Sequence, residues 1–184
     1  MRLFIAVEVP DPVKHALQDV QQQLQRHGCH SVRWVAADAI HLTLQFLGDV
    51  DADRVPSLLA ALEQLNPLPL QLMLAAVGAF PNRQQPQVLW VGLAGDEPGL
   101  LHQQQEVVAA TAALGFPVED RRFRAHLTIG RVRREASREQ RNALSRALTQ
   151  VSNPSPVHWQ SSPPRLIQSR LTPDGPIYTV LGSA

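Results

Sequence analysis

The sequence predicts an α+β fold, in which helices pack against antiparallel strands. Short apolar strands and helical patterns follow one another along the chain, and the connections after the helices are long. Several strands alternate between apolar and polar residues, which is typical of antiparallel strands with one solvated face. We therefore expect α+β rather than a doubly wound parallel sheet. No shift in composition marks a boundary, so residues 1–184 are expected to form a single domain.

The expected elements follow from turn, cap and periodicity signals. A first strand ends at Pro10, and Asp11-Pro12 begins a helix that continues to about Arg26. The remaining segments are bounded by similar signals: strands at 32–35, 40–47, 70–80, 87–93 and 125–132, and helices at 53–65, 98–114 and 137–150. Residues 157–181 are expected to form strands around the turn Pro173-Asp174-Gly175-Pro176.

Composition excludes several classes of protein. The chain is 44% hydrophobic and 18% charged, as globular proteins are, and no apolar stretch is long enough for a bilayer. Glu8 and Asp11 near the start, without a small-residue cleavage site, do not fit a signal peptide. One cysteine allows neither a disulfide framework nor a cysteine-based metal cluster, and there is no glycine-rich nucleotide loop. We expect a cytoplasmic monomer that needs no metal or cofactor.

Positive charge is concentrated in one segment. The net charge is only +1, but nine arginines and two glutamates lie between Arg121 and Arg146. This segment is either a solvated helix face or a patch that faces phosphate, since arginine forks match phosphate oxygens. A patch of this size suits a short or terminal piece of RNA better than a long duplex.

A four-residue pattern occurs twice. His41-Leu42-Thr43-Leu44 recurs as His126-Leu127-Thr128-Ile129, each copy in an expected strand. With seven His and six Thr in the chain, His-x-Thr is expected about 0.2 times by chance. Because side chains alternate along a strand, each copy presents an imidazole beside a hydroxyl on one face and apolar residues on the other. The repeat suggests two similar lobes, related by a rough two-fold, whose motifs meet in a central cleft.

Two imidazoles that meet in this way suit chemistry at phosphorus. A neutral imidazole can take a proton from an attacking water while a protonated one gives a proton to the leaving oxygen. The two hydroxyls and a nearby arginine can hold the non-bridging oxygens. A single histidine in a strand is more often structural, so the pairing and the repetition carry this interpretation.

The motifs and their surroundings resemble a known family. The segments RLFIAVEVP, RWVAADAIHLTLQFLGDV, FRAHLTIGRVR and LIQSRLTPDGPIYTVL are similar to those of the 2H phosphoesterases, specifically the RNA 2′,3′-cyclic phosphodiesterases, also called 2′-5′ RNA ligases. The resemblance implies a bilobal fold with helices outside and a cleft between two antiparallel sheets. It also implies hydrolysis of RNA 2′,3′-cyclic phosphate ends to 2′-phosphomonoesters.

The resemblance assigns roles to five residues. His41 is the expected proton donor to the 3′ oxygen, His126 the base that activates water, and Thr43 and Thr128 contact the phosphate. Arg131 is expected near the phosphate or the base. Strict alternation would put Arg131 on the face opposite His126, so this role requires a bulge or the strand's end.

Three points stay open at this stage. Strict alternation along the strand puts Phe46 on the same face as Leu42 and Leu44, so we expect it in the core rather than stacked on a base. Ala125 stands where relatives often carry proline, which leaves the catalytic face intact. The expected partners are RNA 3′ termini, tRNA fragments and cyclic nucleotides, but ligation of tRNA halves and RNA binding without turnover are alternatives to hydrolysis.

Overall fold

The α+β class is confirmed in the computed structural model, which describes residues 1–119, 122–172 and 175–182. Within these ranges the chain forms nine strands and four α-helices. In order, these elements are β1 (Arg2–Glu8), α1 (Asp11–Arg26), β2 (Val32–Trp34), β3 (His41–Asp49), α2 (Val55–Glu63), β4 (Gln71–Phe80), β5 (Val88–Gly95), α3 (Glu97–Ala113), β6 (His126–Val132), α4 (Arg138–Gln150), β7 (His158–Gln160), β8 (Arg165–Thr172) and β9 (Gly175–Leu181). Two sequence expectations, Arg121 in the basic segment and the turn residues Pro173 and Asp174, lie outside the described residues.

The described strands belong to one hydrogen-bonded sheet in which every pairing is antiparallel. Its order is β7-β4-β5-β6-β3-β1-β8-β9, and β2 pairs with β6 beside this path. The expectation of two separate sheets is therefore wrong. The two halves of the sheet are joined through β3 and β6 at a single residue pair, Leu42 with Leu127. This pair lies at the centre of the two motifs.

Each half of the sheet contains a strand, a helix and a motif strand in this order along the chain, although β2 also lies between α1 and β3 and pairs with β6. In one half, β1 leads through α1 to β3, and β1 pairs with β3. In the other half, β5 leads through α3 to β6, and β5 pairs with β6. The motif strands β3 and β6 therefore occupy equivalent positions, each at the inner edge of its half.

The core lies on the sheet face opposite the polar motif side chains. Helix α1 contributes Val13, Leu17, Val20 and Leu24 to this core, all fully buried. Side chains at alternate positions of β1, such as Leu3 and Ile5, belong to the same cluster. No helix among the described residues is long and apolar enough to cross a bilayer.

Candidate active site

The four motif side chains lie around the point where the two halves of the sheet meet. Leu42 and Leu127, at most 1% exposed, pair there and point into the core. Since neighbours alternate along a strand, His41 and Thr43 leave β3 on the opposite face, as His126 and Thr128 leave β6. The antiparallel register at the central pair directs His41 towards Thr128 and Thr43 towards His126. Residues far apart in sequence are thus brought to one partly buried polar face.

Both imidazoles are held in the same orientation by the backbone two residues earlier. The Nδ1 of His41 lies 2.8 Å from the carbonyl oxygen of Ala39, and the Nδ1 of His126 lies 2.6 Å from that of Arg124. A carbonyl oxygen only accepts, so Nδ1 carries the hydrogen in each ring. Each Nε2 is therefore the nitrogen available to a substrate, as an acceptor when the ring is neutral and as a donor when it is protonated.

Aromatic rings pack against each imidazole and restrict its rotation. Phe4, 2% exposed, stacks on His41 with ring centroids 4.6 Å apart, and Tyr178 meets the same ring edge-on at 5.0 Å. Phe80 meets His126 edge-on at 4.9 Å. The guanidinium of Arg124 lies 5.2 Å from the centre of the Phe80 ring, within cation–π range. Both histidines thus sit in partly buried, partly apolar surroundings.

These surroundings favour the neutral form of both imidazoles. Burial lowers the pKa of His41 from 6.5 to about 4, and the charges of Arg131 and His126 act in the same direction against the opposing hydrogen bond to Ala39. Burial also lowers the pKa of His126, with Arg131 and Arg124 again adding to the effect. Near pH 7 both rings are therefore neutral in the free protein. An anion between them would raise both pKa values, because it stabilises the imidazolium.

Arg131 reaches the histidine face because β6 is irregular. Leu89 of β5 pairs with Gly130, whereas the next residue of β5, Trp90, pairs with Thr128. Ile129 is therefore an extra residue on β6, and the alternation shifts by one position after it. This is the bulge that a role for Arg131 requires. Burial is the main cause of the low pKa of both imidazoles, and the positive charge of Arg131, itself exposed, lowers both pKa values further.

The same irregularity in β3 overturns the expectation for Phe46. Ile5 of β1 pairs with Gln45 while Ala6 pairs with Thr43, so Leu44 is an extra residue immediately after the motif threonine. Phe46 then shares the face of His41 and is 54% exposed. The prediction that Phe46 packs in the core is therefore wrong, since it assumed unbroken alternation. Phe46 and Arg131 hold equivalent positions, each five residues after a motif histidine.

A glutamine from a helix bonds to the backbone of each bulge. Gln21 of α1 donates from Nε2 to the carbonyl oxygens of Ile129, at 2.8 Å, and Val35, at 2.7 Å. Gln104 of α3 donates to the carbonyl oxygen of Leu44 at 3.4 Å. An extra residue disrupts the ladder on one side. The carbonyl oxygen of Ile129 also accepts from the backbone N–H of Val35 at 3.0 Å, so Gln21 adds a second hydrogen bond at this bulge. Each helix thereby stabilises the bulge in the other half of the sheet.

Sequence reasoning missed the residues that support the motifs. Phe4 and Tyr178 lie in strands without a motif of their own, and nothing in the sequence relates them to His41. Gln21 left a signal, because it is a polar residue on the apolar face of α1, between Leu17 and Leu24, and is only 7% exposed. A buried polar side chain at such a position requires a hydrogen-bond partner.

A small pocket opens beside His41. Its volume is about 90 Å³, and its lining includes Glu8, Lys14, Asp38, His41 and Tyr178. Lys14 is held between Asp11 and Asp38, with both nitrogen–oxygen distances at 3.2 Å. On this side of the site, the charge of Lys14 is therefore neutralised by aspartates, and Glu8 adds a negative charge. No group of three or more potential metal ligands gathers in the described part of the chain.

Comparison with known proteins identifies similar families and structures. The family model described as LigT-like phosphoesterase matches residues 7–90 and 92–178. A protein of Archaeoglobus fulgidus named RNA 2′,3′-cyclic phosphodiesterase is 34% identical over 178 residues, covering 97% of this chain and 96% of its own length. A protein of the same name from Methanocaldococcus jannaschii is 30% identical and covers 98% of both chains. The family resemblance seen in the sequence is thereby confirmed.

Solved structures agree with this architecture. A crystal structure of a Thermus thermophilus protein superposes with a TM-score of 0.78 at 29% identity, over 99% of this chain and 96% of the other. The E. coli LigT structure complexed with 3′-AMP superposes with a TM-score of 0.76 at 23% identity, over 98% and 95%. The second likeness, at this identity, concerns the fold alone.

Proposed function

Because this chain belongs to the LigT-like phosphoesterase family, we propose that it hydrolyses RNA 2′,3′-cyclic phosphate ends to 2′-phosphomonoesters. The observation that carries the proposal is the pair of imidazoles on one face of β3 and β6, each with Nδ1 bonded to a carbonyl and with no hydrogen bond to Nε2 from the described residues. The names of curated relatives support the same substrate class.

The reaction follows from proton transfers at the two Nε2 atoms. His126 takes a proton from water as the water oxygen bonds to phosphorus, and His41 gives a proton to O3′ as the phosphorus–O3′ bond breaks. The product retains the phosphate on O2′ and gains a free 3′-hydroxyl. Thr43, Thr128 and Arg131 hold the non-bridging oxygens and offset their growing negative charge. No step requires a metal.

Binding of the substrate prepares His41 for its role. In the free protein the low pKa of His41 leaves it neutral near pH 7. The cyclic phosphate carries a negative charge into the same partly buried site, which raises the pKa of the ring beside it. The substrate thereby promotes protonation of the group that must donate to O3′.

The doubled architecture supports a bilobal domain that acts as one unit. Equivalent motif residues, Leu42 and Leu127, pair with each other across β3 and β6. A pseudo-two-fold axis between them would relate the two imidazoles and put them on opposite sides of one phosphorus atom, as in-line displacement requires. A central cleft between the lobes would then receive the RNA end.

A cytoplasmic location agrees with the single, buried cysteine, since free thiols are typical of that compartment.

Single substitutions of the two histidines test the proposal. Turnover of a 2′,3′-cyclic mononucleotide is expected to fall by about 10²–10⁴ in His41→Ala and in His126→Ala, because each loses one proton transfer. The exposed His15 of α1 provides the control, and His15→Ala is expected to retain the wild-type rate. EDTA is expected to have no effect. Phosphorus NMR identifies the product as the 2′- or the 3′-monoester.

The outcome separates the competing functions. Wild-type rates in both His41→Ala and His126→Ala would contradict the two-histidine mechanism. A 3′-monoester product would show that the phosphorus–O2′ bond breaks instead of the phosphorus–O3′ bond. RNA affinity without turnover in the wild-type protein would indicate a binding module.

A further inference from the structure

Arg33 and Arg131 form an unusual pair beside the proposed phosphate site. Strands β2 and β6 pair antiparallel, and these two residues are direct partners in the register. Directly opposed side chains in an antiparallel pair point to the same face, so Arg33 shares the face of Arg131 and of the motif side chains. Both arginines are exposed.

The pair is unfavourable in the isolated protein. Like charges directly opposite each other on neighbouring strands destabilise a sheet. Within the described residues, neither Arg33 nor Arg131 forms an ion pair or donates a side-chain hydrogen bond. An anion would relieve this repulsion, and the planar guanidinium groups match phosphate oxygens in shape and charge.

Charge is distributed unequally on the two sides of the site. The pocket beside His41 carries Glu8 and Asp38, and its Lys14 is already paired with two aspartates. On the other side, Arg33 is the register partner of Arg131, whereas Arg133, just after β6, lies 3.9 Å from a carboxylate oxygen of Glu135. A polyanion that enters the site is therefore repelled on the first side and attracted on the second.

We propose that Arg33 binds the phosphodiester that precedes the terminal nucleotide of an RNA substrate. This inference rests on the proposed function, because the terminal cyclic phosphate must occupy the site between His41 and His126. With that phosphate in place and Arg131 beside it, the proposal puts the next phosphate of the chain against Arg33, one strand further away. Arg33 thereby makes the protein selective for RNA ends over free cyclic nucleotides.

Two substrates that differ by one charged linkage test this role. The first is 2′,3′-cyclic CMP, and the second is a dinucleotide with the same cyclic end and one internal phosphodiester. The measured quantity is the ratio of kcat/KM for the dinucleotide to kcat/KM for the mononucleotide. We expect Arg33→Gln to lower this ratio by about tenfold or more, the loss of a charge-assisted hydrogen bond. Both substrates are assayed with the same enzyme preparation, so a smaller fraction of folded protein lowers both kcat/KM values equally and leaves their ratio unchanged.

Two controls separate a phosphate contact from general charge effects. Arg26→Gln, at the exposed end of α1, removes the same charge and is expected to retain the wild-type ratio. In the wild-type protein, an uncharged methylphosphonate in place of the internal linkage is expected to lower the ratio as Arg33→Gln does. The salt dependence of KM for the dinucleotide is also expected to be weaker in Arg33→Gln, because one screened charge–charge contact is lost.

The inference is overturned if the ratio in Arg33→Gln equals that of the wild-type protein, or if Arg26→Gln lowers it equally. These results differ from a failure of the proposed function, in which the wild-type protein would open neither substrate.

Discussion

In the proposed mechanism, Arg131 couples the two imidazoles to the charge of the substrate. Burial has the largest effect on the pKa of His41 and of His126, and the positive charge of Arg131 lowers both values further. The proposed mechanism needs one neutral and one protonated ring, so kcat/KM is expected to reach its maximum on the acid side of neutrality. The acidic and basic limbs of this pH profile then report the pKa values of the coupled pair. In the same proposal this arginine also binds the phosphate. One side chain therefore affects both binding and the pH dependence.

Substitution of Arg131 separates these two effects. In Arg131→Gln the pKa values of both rings are expected to rise, because a nearby cation is removed, and both limbs of the kcat/KM profile move to higher pH. The maximum is expected to fall by about 10- to 100-fold as the phosphate loses a charged donor. Arg131→Lys is the matched control, since it retains the charge and loses only the bidentate fork. Its limbs are expected to stay near those of the wild-type protein. Limbs that do not move in Arg131→Gln would contradict the electrostatic coupling.

At the level of elements, the bulge after each motif threonine determines which later residue joins the site. Ile129 is the extra residue in β6, and Leu44 is the extra residue in β3. Each shift brings the residue five positions after the histidine to the polar face. In one strand this residue is Arg131 and in the other it is Phe46. One half thus presents a cation, which suits phosphate, and the other an exposed ring, which suits stacking on a base.

Gln21 is expected to maintain the bulge in β6. In Gln21→Met the side chain keeps a similar length but donates nothing, so the carbonyl oxygen of Val35 loses its side-chain donor and that of Ile129 keeps only the backbone N–H of Val35. The free energy of unfolding is expected to fall by about 1–3 kcal/mol, because two hydrogen bonds of about 0.5–1.5 kcal/mol each are lost. Activity is expected to fall as well, because Thr128 and Arg131 flank the bulge.

Urea unfolding and kcat/KM of the same preparations check this expectation. Gln22→Met, at an exposed position next in α1, is the control and is expected to match the wild-type protein in both measurements. A Gln21→Met variant that unfolds and turns over like the control would show that the bulge persists without the glutamine.

For the molecule as a whole, local patterns in the sequence predicted the class of fold and the faces of the motif strands. Period-two alternation was sufficient to put His41 with Thr43 and His126 with Thr128, because no bulge interrupts either strand before its threonine. Helix limits were correct within about two residues where caps were clear, as for α4 after Ser137. These features depend on neighbours in sequence.

Features that depend on distant residues escaped prediction. The bulge at Ile129 is bound by Gln21, 108 positions away, and the pairing of Arg33 with Arg131 joins strands that are nearly as far apart. The single pair that merges two sheets into one also joins residues from different halves of the chain. No local pattern encodes such contacts, so the position of Phe46 and the continuity of the sheet became visible only in three dimensions.

Two neutral imidazoles in a partly buried site are expected to make the fold sensitive to acid. The pKa of His41 is about 4 in the folded protein and returns towards 6.5 on unfolding. Between these pH values the unfolded chain binds more protons than the folded one, so the free energy of unfolding decreases as the pH falls. This loss begins near pH 6.5 and is complete below about pH 4. His126, whose pKa is also lowered, contributes in the same direction.

Replacement of His41 by a residue that does not titrate is expected to weaken this dependence. His41→Asn keeps an N–H donor in place of Nδ1, towards the carbonyl oxygen of Ala39, and removes the proton uptake. Urea unfolding from pH 7 to 4 is expected to give a shallower slope than in the wild-type protein, whereas His15→Asn, on the exposed side of α1, is expected to keep the wild-type slope. Inorganic phosphate is expected to stabilise the wild-type protein more at pH 5 than at pH 7, because an anion between the rings favours their protonated forms. Equal slopes in His41→Asn and in the wild-type protein would show that the ring at position 41 does not remain neutral in the folded state.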